Sequence, residues 1–211
     1  MATEFRHQCQ VYKGSPSRQL SAIAEMTCQK LIEGYRCLYL NSPAMVAGLR
    51  STLAALGIDV IRESARTALL LTSDQSHLVG GRFDSDRMLA KLDDALQKAL
   101  QDRYTGLWAV GDMTWELGFQ ANFPNLLEYE WRLEEYMRGH SQLCGICQYH
   151  ADTLPSEALK ASIVHESFFI NETLSQLNPH YVRAEAPTGL MASHPQFDTF
   201  IDRLCQATEG D

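Results

Sequence analysis

The sequence predicts an α/β fold: a three-layer sandwich with a central, mostly parallel sheet and helices on both faces. Three observations lead there. Short apolar runs such as residues 37–40 (CLYL) and 107–110 (LWAV) alternate with longer segments of helical periodicity, the pattern of βαβ units. Gly, Pro, Asn and Ser gather at the joins between them. The chain has 211 residues, 45% hydrophobic and 21% charged, enough for one domain with a sizeable core.

In chain order, residues 7–12 form a first strand, and Lys13-Gly14-Ser15-Pro16-Ser17 a loop. Leu20, Ile23, Ala24, Cys28, Leu31 and Ile32 recur at helical spacing, and Gly34 ends that helix. Residues 37–40 are a buried strand. Ser42 then caps a helix with Pro43 in its first turn, running to Leu56 and Gly57. Residues 58–61 begin another strand, and residues 68–72 (ALLLT) are a further one. A loop through His77, Gly80 and Gly81 leads to Asp84, the cap of a strong helix over 85–101. Residues 107–110 form a strand ending at Gly111-Asp112-Met113. A helix over 124–138, a strand over 143–149 and a helix over 155–165 follow. The expected division is a domain over 1–182 and an appendage over 183–211, with a short amphipathic helix over 197–207.

Composition excludes several classes. A net charge of −8 disfavours direct binding to nucleic acid. No apolar stretch approaches the roughly 20 residues of a membrane span. The start, MATEFRHQCQ, has no secretory pattern, so a cytoplasmic location with all six cysteines as thiols is expected.

A set of short motifs in collinear order carries a resemblance. These are His7-Gln8-Cys9 before Tyr12, Gly34-Tyr35-Arg36-Cys37-Leu38-Tyr39-Leu40, and Leu56-Gly57-Ile58-Asp59-Val60. Gly81-Arg82-Phe83-Asp84, Gly111-Asp112-Met113-Thr114-Trp115 and Glu128-Tyr129-Glu130 continue it. Cys147-Gln148-Tyr149 and Asn178-Pro179-His180-Tyr181-Val182 complete it. Across residues 5–182 the chain resembles the MEDS domain, the methanogen/methylotroph and DcmR sensory domain family. That resemblance implies a relative of the RecA/KaiC ATPase fold that senses simple hydrocarbon derivatives in prokaryotic signalling. Such domains are usually joined to a histidine kinase or a helix-turn-helix segment. Neither is recognised here, so the expected partner is a kinase or transcription regulator on another chain.

The loop from Tyr12 to Leu20 falls where a phosphate-loop protein places GxxxxGK[ST]. It keeps only Gly14, and no Gly-Lys-Ser/Thr occurs anywhere in the sequence. Without the lysine and the magnesium-holding hydroxyl, ATP hydrolysis is not expected, so the chain reads as non-enzymatic with no cofactor. Open α/β sheets bind ligands at the carboxyl ends of their strands. The candidate site for a small organic ligand therefore gathers Tyr12, Lys13, Ser15 and Arg18 from the first loop and Asn41 and Ser42 from the second. Asp112, Met113 and Trp115, then Tyr149 and His150, complete it.

Three other patterns bear on function. His7-x-Cys9 and Cys144-x-x-Cys147-x-x-His150 supply ligand types that zinc prefers, making a metal or redox switch one alternative. Strand alternation turns Cys144 and Cys147 to opposite faces, so buried thiols acting as small hydrophobes are the plainer expectation. Glu128, Glu130, Glu134 and Glu135 read as a solvated acidic helix face, and His165 and His194 as structural. The other alternative is a ligand-free interaction module whose tail, residues 197–205, docks on a partner or a second copy.

Overall fold

The computed structural model describes residues 6–116, 123–159, 161–162, 165, 167–170 and 173–177. The proposed appendage over 183–211, Asn178-Pro179, His194 and the 197–207 segment lie outside the described residues. Strand β1 (His7–Tyr12) leads through a 3-10 turn (Pro16–Gln19) into α1 (Leu20–Ile32). Then come β2 (Arg36–Leu40), α2 (Pro43–Ala55), α3 (Val60–Ala65) and β3 (Leu69–Thr72). A small hairpin, β4 (Leu78–Val79) and β5 (Arg82–Phe83), precedes α4 (Ser85–Gln101) and β6 (Leu107–Asp112). The chain continues with α5 (Met113–Glu116), α6 (Phe123–Gly139), β7 (Leu143–His150), α7 (Ser156–Leu159), β8 (Ser167–Ile170) and β9 (Thr173–Leu177).

The main sheet has the order β3-β2-β6-β7-β1-β8-β9. All neighbours in it pair parallel except β8 and β9. The expected mixed α/β architecture, a mostly parallel sheet flanked by helices, is therefore observed. Because successive side chains on a strand face opposite ways, the sheet sorts its apolar residues into two cores. One joins Cys37, Tyr39, Trp108, Val110, Cys144 and Ile146 to Leu20, Ile23 and Ala24 of α1 and Leu49 and Leu53 of α2. The other joins Cys9, Val11, Leu38, Leu40, Cys147 and Tyr149 to Met88, Leu92 and Leu96 of α4 and Leu126, Tyr129, Leu133 and Met137 of α6.

Local chemistry sets the helix starts. Ser42 accepts a hydrogen bond from the Met45 N–H at 3.4 Å, and Asp84 accepts one from the Arg87 N–H at 2.9 Å. Residues 58–61, expected to begin a strand, instead enter α3. The Asp59 carboxylate accepts from the Arg62 N–H at 3.0 Å, and this cap outweighs the β preference of Ile58, Val60 and Ile61. Of the helix expected over 155–165, Ser156–Leu159 is α-helical and residues 161–162 are 3-10 among the described residues. Within the expected loop, Gly80 and Gly81 take φ of 58° and 80°, both left-handed, and close the two-residue β4–β5 turn. At Gly145 a Cβ would meet the Ala109 carbonyl oxygen at 2.2 Å, so only glycine lets β7 lie so close to β6 there. No helix among the described residues is long and apolar enough to cross a membrane.

Candidate functional site

The carboxyl ends of β1, β2 and β6 converge on Asp112. Its Oδ1 accepts from the Thr114 N–H at 2.8 Å, which starts α5. Its Oδ2 faces the Tyr12 hydroxyl at 3.3 Å and the Asn41 amide at 3.4 Å. Asn41 also donates to the Tyr39 hydroxyl at 2.9 Å and accepts from the Ser42 N–H at 2.7 Å. Burial, and then the Asp112 charge, hold the Tyr12 and Tyr39 phenols well above their ordinary range, so both stay protonated. The Tyr12 ring stacks on His150 with centroids 4.9 Å apart. His150 Nε2 donates to the Gly14 carbonyl at 2.8 Å, and the Gly14 N–H donates to Asp152 at 2.7 Å, folding the first loop over the end of β7.

Tyr12, Asn41, Asp112 and His150 thus come together as the strand-end argument expects. Lys13, Ser15 and Arg18 lie in the adjoining loop and 3-10 turn, where the Ser15 and Ser17 hydroxyls are 2.8 Å apart. Ser42 serves as the α2 cap. Two residues do not join the cluster. Tyr149 and Met113 point to the opposite face of the sheet, into the α4/α6 core, because each is one residue out of phase with its neighbours at the edge. The Trp115 side chain lies outside the described residues.

A second polar cluster lies inside that α4/α6 core. His7 on β1, Cys147 on β7, Glu130 on α6 and His165 are all buried. Glu130 Oε2 is 3.3 Å from His7 Nε2, 3.5 Å from His165 Nε2 and 3.4 Å from Cys147 Sγ. Its Oε1 accepts from the Tyr149 hydroxyl at 2.6 Å. Glu134 Oε2 accepts from His7 Nδ1 at 2.9 Å, and Oε1 accepts from Arg138 Nε at 3.1 Å. The Glu130 and Glu134 face, expected to be solvated, is therefore interior, at 0% and 3% exposure. Their i, i+4 spacing interleaves them with Leu126, Tyr129, Leu133 and Met137 on the side of α6 that meets the sheet.

Burial and mutual contact shift the groups of this cluster in different directions. Desolvation acts against the Glu130 carboxylate, but the two histidines outweigh it and hold Glu130 well below the usual carboxylate range. Desolvation likewise opposes the charged form of His7, yet its bonds to Glu130 and Glu134 leave it raised. His165 is lowered, by burial and then by the neighbouring His7 charge. Burial pushes the Cys9 thiol up, which leaves it an inert thiol.

Of the sequence pattern read as possible metal ligands, His7 and Cys147 meet. Cys144 faces the α1/α2 core, and His150 lies at the sheet edge against Gly14. Cys9 is on the same face as Cys147 and pairs with it in register, outside the four-residue cluster. Sequence reasoning missed Glu130 and His165 as their companions. The available signal was an acid pair embedded in an apolar helix stripe.

Beside the cluster is a cavity of about 40 Å³ between β2, β6 and β7 and helices α4 and α6. Leu40, Met88, Leu92, Met113, Leu133 and Met137 line much of it, with His7 and Cys147 also in its wall. Among the described residues, Met113 is the one member of the sequence-predicted site that lines it.

No curated protein matches the chain. The family model of the MEthanogen/methylotroph, DcmR Sensory domain matches residues 6–166, a span holding both polar clusters and the cavity. The chain belongs to the MEDS family of sensory domains.

Proposed function

We propose that the chain is a non-catalytic sensory module that takes a small, largely apolar organic molecule in the α4/α6 cavity and signals through a separate kinase or transcription regulator. The cavity carries this reading. Its wall is largely apolar, with His7, Tyr129 and Cys147 as the residues bearing polar atoms, and its volume has room for a molecule of about three heavy atoms. The family's expected ligands, simple hydrocarbon derivatives, are of that kind. The absence of any Gly-Lys-Ser/Thr supports a role without ATP hydrolysis.

Asp112 lies between Gly111 and Met113, both in the cavity wall, while its carboxylate holds Tyr12 and Asn41 across the sheet. A shift of the β6–α5 turn on filling the cavity therefore reaches the sheet edge, where a partner reads it. Tyr12, Lys13, Ser15, Arg18, Asn41, Ser42 and His150 form that read-out edge.

Thermal-shift and NMR titration with short alcohols and haloalkanes tests the proposal. Saturable stabilisation is expected, abolished by Leu92→Phe, which fills the cavity, and kept by Tyr12→Phe. The reverse pattern moves the ligand to the sheet edge. A response to none of these compounds overturns the proposal.

A further inference from the structure

We propose that His7 Nε2, His165 Nε2, Glu130 Oε2 and Cys147 Sγ form a tetrahedral site for a divalent transition metal ion of the zinc type. All four ligand atoms lie within 4.8 Å of one another. Zinc bonds of about 2.0–2.3 Å place tetrahedral ligand atoms about 3.3–3.8 Å apart. The contacts His7–Glu130 at 3.3 Å, Cys147–Glu130 at 3.4 Å, His165–Glu130 at 3.5 Å and Cys147–His7 at 3.6 Å all fall in that window. Four side chains from four separate segments meet here, and these four of their six ligand–ligand separations match the spacing around a bound ion.

The surrounding groups orient these ligands as metal sites require. His7 Nδ1 donates to Glu134, and His165 Nδ1 donates to the Ser162 carbonyl at 2.9 Å, so each ring turns Nε2 inward. The Tyr149 hydroxyl occupies the other Glu130 oxygen, and Arg138 holds Glu134. A thiolate, two imidazoles and one carboxylate suit zinc better than magnesium or calcium, which take oxygen ligands. The charge also closes. A divalent ion with one thiolate, one carboxylate and two neutral imidazoles is neutral, as a buried site needs. Binding releases the Cys147 thiol proton, and any second proton on the His7 ring, to solvent.

Four protein ligands leave no open position, so the ion's role is structural. It ties β1, β7, α6 and the segment carrying His165 together at one wall of the cavity. The site is independent of whether any organic ligand enters that cavity.

Elemental analysis of the purified full chain, dialysed against metal-free buffer and then loaded with zinc, tests this. One zinc ion retained per chain is expected. X-ray absorption at the zinc edge should show one sulfur and three nitrogen or oxygen neighbours. Cobalt(II) loading should give the visible bands of a tetrahedral ion and a thiolate charge-transfer band. Cys147→Ser should lose the charge-transfer band, and Cys144→Ser, whose thiol lies on the other face, should keep it. Failure to retain zinc together with no cobalt spectrum overturns the site. So does a sulfur-free coordination shell in the unmodified protein, a result that stands even if Cys147→Ser does not fold.

Discussion

The two faces of one sheet are built from alternate residues of the same strands, yet they differ in kind. On the α1/α2 face, Cys37, Tyr39, Trp108, Val110, Cys144 and Ile146 pack against Leu20, Ile23, Leu49 and Leu53. On the α4/α6 face, a similar apolar wall borders a cavity and buries two carboxylates among two histidines and a thiol. The three-residue step from Cys144 to Cys147 carries the contrast within β7. The first thiol is a small apolar filler, and the second meets His7 and Glu130. An apolar face contributes through packing, whereas a face that buries charged groups must satisfy them with partners.

The largest expected effect tests the charged side of that contrast. Glu130→Leu removes the carboxylate that His7, Cys147 and Tyr149 contact at hydrogen-bond distance and that faces His165, and strands buried polar groups. It should cost about 3–5 kcal/mol in urea unfolding. A loss under about 1 kcal/mol would mean the cluster contributes no more than ordinary packing. On the other face, Leu53→Ala should cost about 2–4 kcal/mol through the cavity it opens in a close-packed core.

Enlarging a side chain separates the faces in the opposite sense. Leu53→Phe adds bulk at a fully buried position and should cost about 1–3 kcal/mol. Leu92→Phe enters an existing cavity and should cost under about 1 kcal/mol while abolishing binding of small organics. Equal costs for the two would show that the cavity is filled by rearrangement and offers no site.

Much of the scaffold was legible in the sequence because it rests on local chemistry. The helix Ser85–Gln101, its Asp84 cap and the Ser42-Pro43 start follow from capping and periodicity. The 58–61 segment was misread because a β-branched run and a short capped helix look alike until the Asp59 side chain is seen closing the turn. The convergence of Tyr12, Asn41 and Asp112 was legible because parallel strands bring their ends together. The buried cluster was not. Glu130 and Glu134 are acids on an amphipathic helix, and only the packing of α6 shows that their stripe faces the sheet. His165 reaches the same point through a segment following α7, a path no periodicity encodes.

The smallest expected effect contrasts the buried carboxylate with an exposed one on the outer surface of the same layer. Asp74 accepts from Lys91 of α4 at 2.6 Å and from Ser76 at 2.7 Å. The Lys91 bond first, and then Ser76, lower its pKa to about 2 from 3.8. A folded-state pKa below the unfolded one gives stability that is present above pH 3.8 and lost as pH falls toward 2. Asp74 is half exposed, at 48%, so solvent screening limits that contribution to about 0.5 kcal/mol at neutral pH. Asp74→Asn should therefore lower the urea midpoint slightly at pH 7, with the difference shrinking under acid and in high salt. If it matched Glu130→Leu in size, burial would not be what sets the value of a carboxylate in this layer.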